Sequence, residues 1–523
     1  MSLENQGVAP VIIAGAGPTG LTLATELRRG GADVLLLDRR ADRGVDGSRA
    51  AGMQPRTVEM LDQRGIVDRF LALGPPLNLG NFAGIILDYS QLESRFPHTY
   101  NIMQADTEQV LESVAADLGA SVRWSTEVTG LRQDAGGVEV TVHGPDGVET
   151  VRGSHLVGCD GGRSIVRKLT GVGFPGTDAT MVCLIGDVEL DEPPQHQMFL
   201  DRREAGLITV VQFRPGWYRV VTSERERSAA AGDPVTLAEL QASTRRIAGT
   251  DFGMHSASWL SHFNDAIRQV DRYRSGRVFL AGDAAHIHVP AGGQGMNMGM
   301  QDAFNLGWKL AAVLRGNAPD SLLDTYHDER HAADAETLKL IRAQSILCEP
   351  EPKLADLLEL MARLVSFDDV NRYLTAALSG LDLQYPTAGG HALLGRRVPD
   401  ADIISGSGAT RIFDLLRDAR PVLLDLSHTP GLTEAAAAWA GRVDVVTANC
   451  AADSWAVPGA GTIATPSALL IRPDGYVAWV AGDNLDLDAL RGTLGTWYGP
   501  EALGSPRHPT AVQRPALDPG AVR

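Results

Sequence analysis

Three glycines, Gly15, Gly17 and Gly20, follow at once on the apolar run Val11-Ile12-Ile13-Ala14 and precede a helical stripe of Leu21, Leu23, Ala24 and Leu27. Strand, glycine turn and helix in that order can hold a dinucleotide. Gly15 permits the tight turn, Gly17 the close approach of a pyrophosphate, and Gly20 the packing of helix on strand. The helix N-terminus adds free N–H groups and partial positive charge. Asp38 lies 18 residues past the last glycine, at the end of a second buried strand, Val34–Leu37, where it can accept hydrogen bonds from a ribose diol. Two further strand ends carry an acid in a similar turn. One is Cys159-Asp160-Gly161-Gly162-Arg163-Ser164, running on to Arg167; the other is Gly282-Asp283-Ala284-Ala285-His286.

The elements that must position these residues change texture along the chain. Residues 108–118 read as an amphipathic helix. Val138–Val140 and Val148–Val151 flank Gly144-Pro145-Asp146-Gly147 as a hairpin. From 175 to 270 the pattern is β-rich, with strands at Met181–Leu190, Leu207–Phe213 and Trp217–Thr222. The α/β texture returns at 271, with helices over about 302–380. A third texture, 395–500, alternates strands (Pro421–Leu426, Val443–Thr447, Ala468–Ile471) with helices (Leu432–Ala440, Leu485–Trp497). Four prolines and little apolar pattern mark 501–523 as a loose tail. The expected organisation is therefore a dinucleotide-binding domain in two pieces, 1–174 and 271–394, an inserted β-sheet domain at 175–270, and a small α/β domain at 395–500.

Length and composition fit that organisation. A chain of 523 residues, 44% hydrophobic, is globular and too long for one core. Its net charge of −17 repels nucleic-acid phosphates and anionic membranes. No apolar run is long enough to span a bilayer. The start of the chain shows no basic segment or cleavage site, and the four cysteines are scattered without a CxxC pair. A cytoplasmic protein with neither disulfides nor a thiolate metal site is expected.

Taken together and in this order, the three glycine turns resemble the flavoprotein monooxygenases with a single FAD-binding domain, the para-hydroxybenzoate hydroxylase-like class. The strongest match is Gly282–Asn305, centred on Pro290-Ala291-Gly292-Gly293-Gln294-Gly295-Met296-Asn297. The stretches Asp302–Leu310, Leu322–Tyr326 and Leu470–Trp479 are similar to the actinomycete aromatic polyketide hydroxylases that act on angucycline and anthracycline intermediates. The resemblance implies an α/β fold. Its parts are a Rossmann-like FAD domain, an inserted β-sheet substrate domain and a C-terminal thioredoxin-like domain. With only Cys450, the last is redox-inactive, packing or dimerising instead, so a homodimer is possible.

The resemblance also implies roles. Thr19 and Gly20 would sit by the pyrophosphate and Asp38 by the adenosine ribose, with Gly15, Gly17, Pro18 and Arg39 also cofactor-binding. Arg49 would contact FAD near the nicotinamide nucleotide, and Gln104 the ribityl chain. Asp160 and Arg167 would serve both FAD and NAD(P)H. Asp283 would hold the ribityl hydroxyls and Pro290 would lie over the flavin. Gly293, Gly295, Met296 and Asn297 would face the isoalloxazine ring, where donors suit the anionic reduced state. No metal is implied.

NAD(P)H, with NADPH favoured, would visit transiently. O2 would react to a flavin C4a-hydroperoxide that hydroxylates a polycyclic phenol or quinone. Baeyer–Villiger insertion, inactivation of an aromatic antibiotic, and a flavin-free binding protein are the alternatives. His286 and His288 are either a proton relay near the flavin or loop packing, and no catalytic base is assigned. The substrate wall is expected from 175–270 (Trp217, Tyr218, Trp259, His262, Phe263) and from 78–103 (Phe82, Tyr89, Phe96, His98, Tyr100).

Overall fold

A computed structural model of the chain describes residues 9–44, 50–196, 198–224, 234–349, 351–387, 389–482 and 485–501. Val11–Ala14, fully buried, is a central strand of a six-stranded sheet. The sheet order is Arg274–Ser275, Val278–Leu280, His155–Gly158, Val11–Ala14, Val34–Leu37, Val122–Arg123, parallel except for the first edge strand. In-register pairing of Ala14 with Gly158, and of Gly158 with Leu280, brings three strand ends to one sheet edge. Three loops distant in sequence, beginning at Gly15, Cys159 and Ala281, therefore lie side by side. Ligands of open α/β sheets bind outside such carboxyl ends. Helix Pro18–Arg29 packs against helix Gln294–Leu314 through glycine contacts: a Cβ on Gly299 would sit 2.3 Å from Thr19 Oγ1, and one on Gly307 2.5 Å from Glu26 Cβ. That second helix starts at 294, earlier than the expected 302, because Gly293 in the left-handed region (φ 65°) ends the preceding loop.

The β-rich segment forms a five-stranded antiparallel sheet: Met198–Arg203, Gly206–Arg214, Trp217–Glu224, Val182–Leu190, Met254–Asn264. Period-two alternation divides its faces. Leu184, Val188, Ile208, Val210 and Val220 pack under helix Leu237–Ala248 with Leu240 and Ile247. Cys183, Ile185, Leu207, Thr209, Val211 and Val221 face a cavity on the other side.

The C-terminal segment is a mixed sheet ordered Gly408–Arg411, Asp402–Ser405, Asp444–Cys450, Val422–Asp425, Ala468–Ile471, Val477–Val480. The expected helix Leu432–Ala440 is only Leu432–Ala436 with a 3-10 turn after it, while Leu487–Tyr498 forms as a full helix. A buried ion cluster docks this sheet on the helix Gln294–Leu314 side. Arg472 reaches Glu329 (2.5 and 2.9 Å) and Asp474, and Lys309 Nζ bonds Glu329 (2.7 Å). Breaking such a cluster from one side strands a buried charge. Arg472→Met is expected to lower stability by about 3–5 kcal/mol, read by chemical denaturation of the full chain.

Candidate active site

The glycine loop divides its labour by sterics. Gly15 has φ 105°, and a Cβ there would lie 2.3 Å from the Cys159 carbonyl oxygen. A Cβ on Gly20 would meet the Gly15 carbonyl oxygen at 1.9 Å. These two glycines pack; neither lines the cavity. At Gly17 the space is open, with only Glu108 Oε1 within reach, at 4.0 Å. Gly17 is also the N-cap of helix Pro18–Arg29, which has no side-chain cap, so its first N–H groups are left to a ligand. Asp38 departs from its expected place. Its carboxylate is buried, accepts the Ala16 N–H at 2.8 Å and holds Arg40, so it shapes the loop and is not on the cavity wall. Arg39 does line the cavity.

From Gly17, Pro18 and Thr19 a single cavity of about 2040 Å³ runs past Gln104, Asp160 and Asp283 to Pro290, Gly293, Gly295 and Met296, and on to the inner face of the five-stranded sheet. Gln104 is fixed by Glu108 (2.8 Å) and by the Ala50 N–H. Asp160 accepts from Ser164 Oγ and from the N–H groups of Ile165 and Val166, capping helix Ile165–Thr170. Arg167 is a staple rather than a wall residue. Buried against Phe174, it donates to the carbonyls of Gly162 (2.7 Å) and Ala284 (2.9 Å) and so ties two strand-end loops together. Asp283 has no hydrogen bond or ion pair among the described residues, which leaves both oxygens for a ligand's hydroxyls. Asn297 is fully buried and off the cavity wall. It accepts the Gln54 N–H and donates to the carbonyls of Gly52 and Gly293, holding the loop instead of facing the cavity. Arg49 lies outside the described residues.

The two histidines of this loop part company. His286 is fully buried behind the cavity, with Nε2 2.9 Å from Asp302 and 3.5 Å from Asp334. Arg330 bonds both carboxylates (2.7 and 2.6 Å) and Tyr273 donates to Asp334. Burial opposes a charge on His286, but Asp334 and Asp302 outweigh it and lift its pKa to about 9. The three residues could ligate a metal by proximity, yet the Arg330 guanidinium already fills that role for both carboxylates. His288 lines the cavity.

On the substrate side, Tyr89, Tyr100, His262 and Phe263 are on the wall, together with Leu79, Ile86 and Phe213. Phe82 is not; it packs in an apolar cluster with Leu87 and Leu374. Phe96 packs at the edge of the main core, and Tyr218 against the helix side of the sheet. Trp217 and Trp259 carry Arg214 and Arg219 on their rings (4.8 and 5.5 Å), and neither reaches the wall. His98 is also off it. Gln54, unnoticed in the sequence, lines the cavity and ties it together, donating to the Gly292 carbonyl (3.0 Å) and accepting from Tyr89 OH. Its partners are 35 and 238 residues away, so no local pattern marks it.

The donor set fits a flavin dinucleotide. An uncapped helix N-terminus beside an open glycine suits a pyrophosphate, an unpartnered carboxylate suits a polyol, and a second uncapped helix, entered through Gly293, suits an anionic ring edge. The apolar sheet face beyond can take a flat polycycle.

Comparison with known proteins agrees. The family described as "FAD binding domain" matches residues 8–340, and "Aromatic-ring hydroxylase, C-terminal" matches 391–501. The 12-dehydrotetracycline 5-monooxygenase/anhydrotetracycline 6-monooxygenase of Streptomyces rimosus is 46% identical over 94% of this chain and 99% of its own length. The rifampicin monooxygenase of Streptomyces venezuelae is 42% identical over 94% and 99%. The solved structure of the Streptomyces rimosus anhydrotetracycline hydroxylase superposes with a TM-score of 0.88 at 45% identity, covering 94% of this chain and all of that one.

Proposed function

Since the chain belongs to the FAD-dependent aromatic-ring hydroxylases, we propose that it hydroxylates a polycyclic aromatic polyketide within the cavity between its glycine loops and its five-stranded sheet. The observation that carries the reading is the continuity of that cavity from Gly17 to the apolar sheet face. Bound FAD supplies activated dioxygen. The residues of this chain do the rest. Gly17 and the N–H groups after it seat the pyrophosphate, and Asp283 and Gln104 hold the ribityl chain. Gly293, Gly295 and Met296 border the ring, and Leu79, Ile86, Phe213 and Phe263 orient the substrate and exclude water.

NADPH is the proposed hydride donor. Arg39 and Arg163 line the cavity with no partner among the described residues, and can meet the 2′-phosphate that NADH lacks. A second reading, inactivation of an aromatic antibiotic, is favoured by the similarity to rifampicin monooxygenase.

The test is turnover of the yellow holoenzyme with a tetracyclic phenol under ¹⁸O2. The expected result is phenol-stimulated NADPH oxidation and a product carrying one ¹⁸O on an aromatic carbon. Oxygen inserted into a ring C–C bond would replace hydroxylation with ring insertion. A colourless protein that takes up no FAD would overturn the reading altogether.

A further inference from the structure

Among the groups the function does not yet employ, His288 is the one whose surroundings suit proton transfer. Its Nδ1 lies 2.6 Å from the Val289 carbonyl oxygen. A carbonyl only accepts, so Nδ1 carries the proton and Nε2 is left with its lone pair. The ring lines the cavity, and Nε2 lies 3.4 Å from where a Cβ on Gly295 would be. Gly295 is in the first turn of helix Gln294–Leu314, whose N-terminus has no side-chain cap. Nε2 therefore faces the glycine-rich helix start proposed to border the ring, inside the cavity that continues to the substrate wall. A larger residue than glycine at 295 would crowd it.

Two residues earlier, His286 is fixed among Asp302, Asp334 and Arg330 and has no cavity face. It anchors the loop that carries His288. The charged groups facing the His288 ring are Asp283 and His286 of its own loop; the first turn of the helix packed against it carries none. Burial holds the His288 pKa below its usual 6.5, and Asp283 opposes that shift without cancelling it. At neutral pH the ring is thus an acceptor.

We propose that His288 Nε2 is the proton acceptor for the substrate's phenolic hydroxyl. The step is a simple transfer. The phenol O–H bond breaks, an Nε2–H bond forms, and the electron pair stays on the phenolate oxygen. The carbon ortho or para to it becomes more nucleophilic, and the imidazolium returns the proton to product or solvent. The assignment rests on the phenolic substrate class proposed above.

The experiment compares wild-type holoenzyme with His288→Gln and His288→Ala, using a hydroxyanthraquinone as probe and substrate. Glutamine retains an acceptor oxygen but takes no proton. His288→Gln is expected to bind the probe within about 3-fold of wild type at pH 7 while turnover falls about 100-fold or more. Binding carries a second signature. In the wild type the probe's Kd rises as pH falls below 6.5, where His288 becomes protonated and stops accepting. In His288→Gln the Kd is flat over that range. Wild-type-like turnover and the same pH-dependent Kd in His288→Gln would overturn the proposal alone. Loss of bound FAD from His288→Gln would also overturn it, by making His288 a cofactor ligand. Failure of the wild type to bind any hydroxyanthraquinone would overturn the substrate class and this assignment with it.

Discussion

Gly17→Val is expected to give a folded but colourless protein. The backbone at Gly17 is extended, with φ −79° and ψ −176°, a conformation that valine favours. Among the described residues, and apart from its chain neighbours, no atom lies closer than 4.0 Å to the new Cβ. The apo chain should therefore unfold within about 1 kcal/mol of the wild type, the loss coming from valine being a poorer N-cap residue than glycine. The side chain does fill the approach to the uncapped N–H groups of helix Pro18–Arg29. FAD affinity should fall at least about 100-fold, equivalent to about 2.8 kcal/mol. Gly20→Ala should behave in the opposite way. Its Cβ would sit 1.9 Å from the Gly15 carbonyl oxygen, so the chain loses stability before binding can be asked about. Isothermal titration with FAD and denaturant unfolding, run on both variants, separate the two effects. Equal loss of stability in both would show that Gly17 serves packing and not the pyrophosphate.

Asp302→Asn should be the most damaging single change behind the cavity. Asp302 is fully buried and accepts from Arg330, His286 and the Gly282 N–H. Arg330 and His286 hold its carboxyl down at about 2 against the effect of burial. Removing its charge leaves Arg330 and His286 facing Asp334 alone, at a cost of about 3–5 kcal/mol. The strand-end turn at Gly282–Asp283 loosens with it, so FAD affinity falls as well.

The same cluster gives stability a pH dependence of definite sign. The folded pKa of His286, about 9, lies above the usual 6.5. Its contribution is complete below pH 6.5 and is lost as pH rises through 9, amounting to at most about 3 kcal/mol. Part of that gain is given back because Nδ1 of the ring has no partner among the described residues. In His286→Gln the loss between pH 6.5 and 9 should disappear. An unchanged pH profile in that variant would show that the ring is neutral in the folded protein.

The sheet, the three glycine turns and the chemistry they can support are legible in the amino-acid pattern. Each of these rests on local rules. Val11–Ala14 is apolar enough for burial on both faces, Gly15 takes a positive φ, and Asp160 and Asp283 each sit beside a glycine at a strand end.

Which side chains line the cavity depends on long-range packing. Asp38, Arg167 and Asn297 belong to the right motifs, yet each spends its hydrogen bonds on backbone groups of neighbouring loops. Gln54 reaches the wall through partners far along the chain. Trp217 and Trp259 are aromatic and in the right sheet, but arginines occupy their rings. His286 and His288 are two residues apart and indistinguishable by type. One is enclosed by carboxylates contributed by two helices, and the other opens on the cavity. A motif specifies where the backbone turns. Whether a polar group turns inward to satisfy the fold or outward to meet a ligand depends on which partners distant segments bring within about 3 Å.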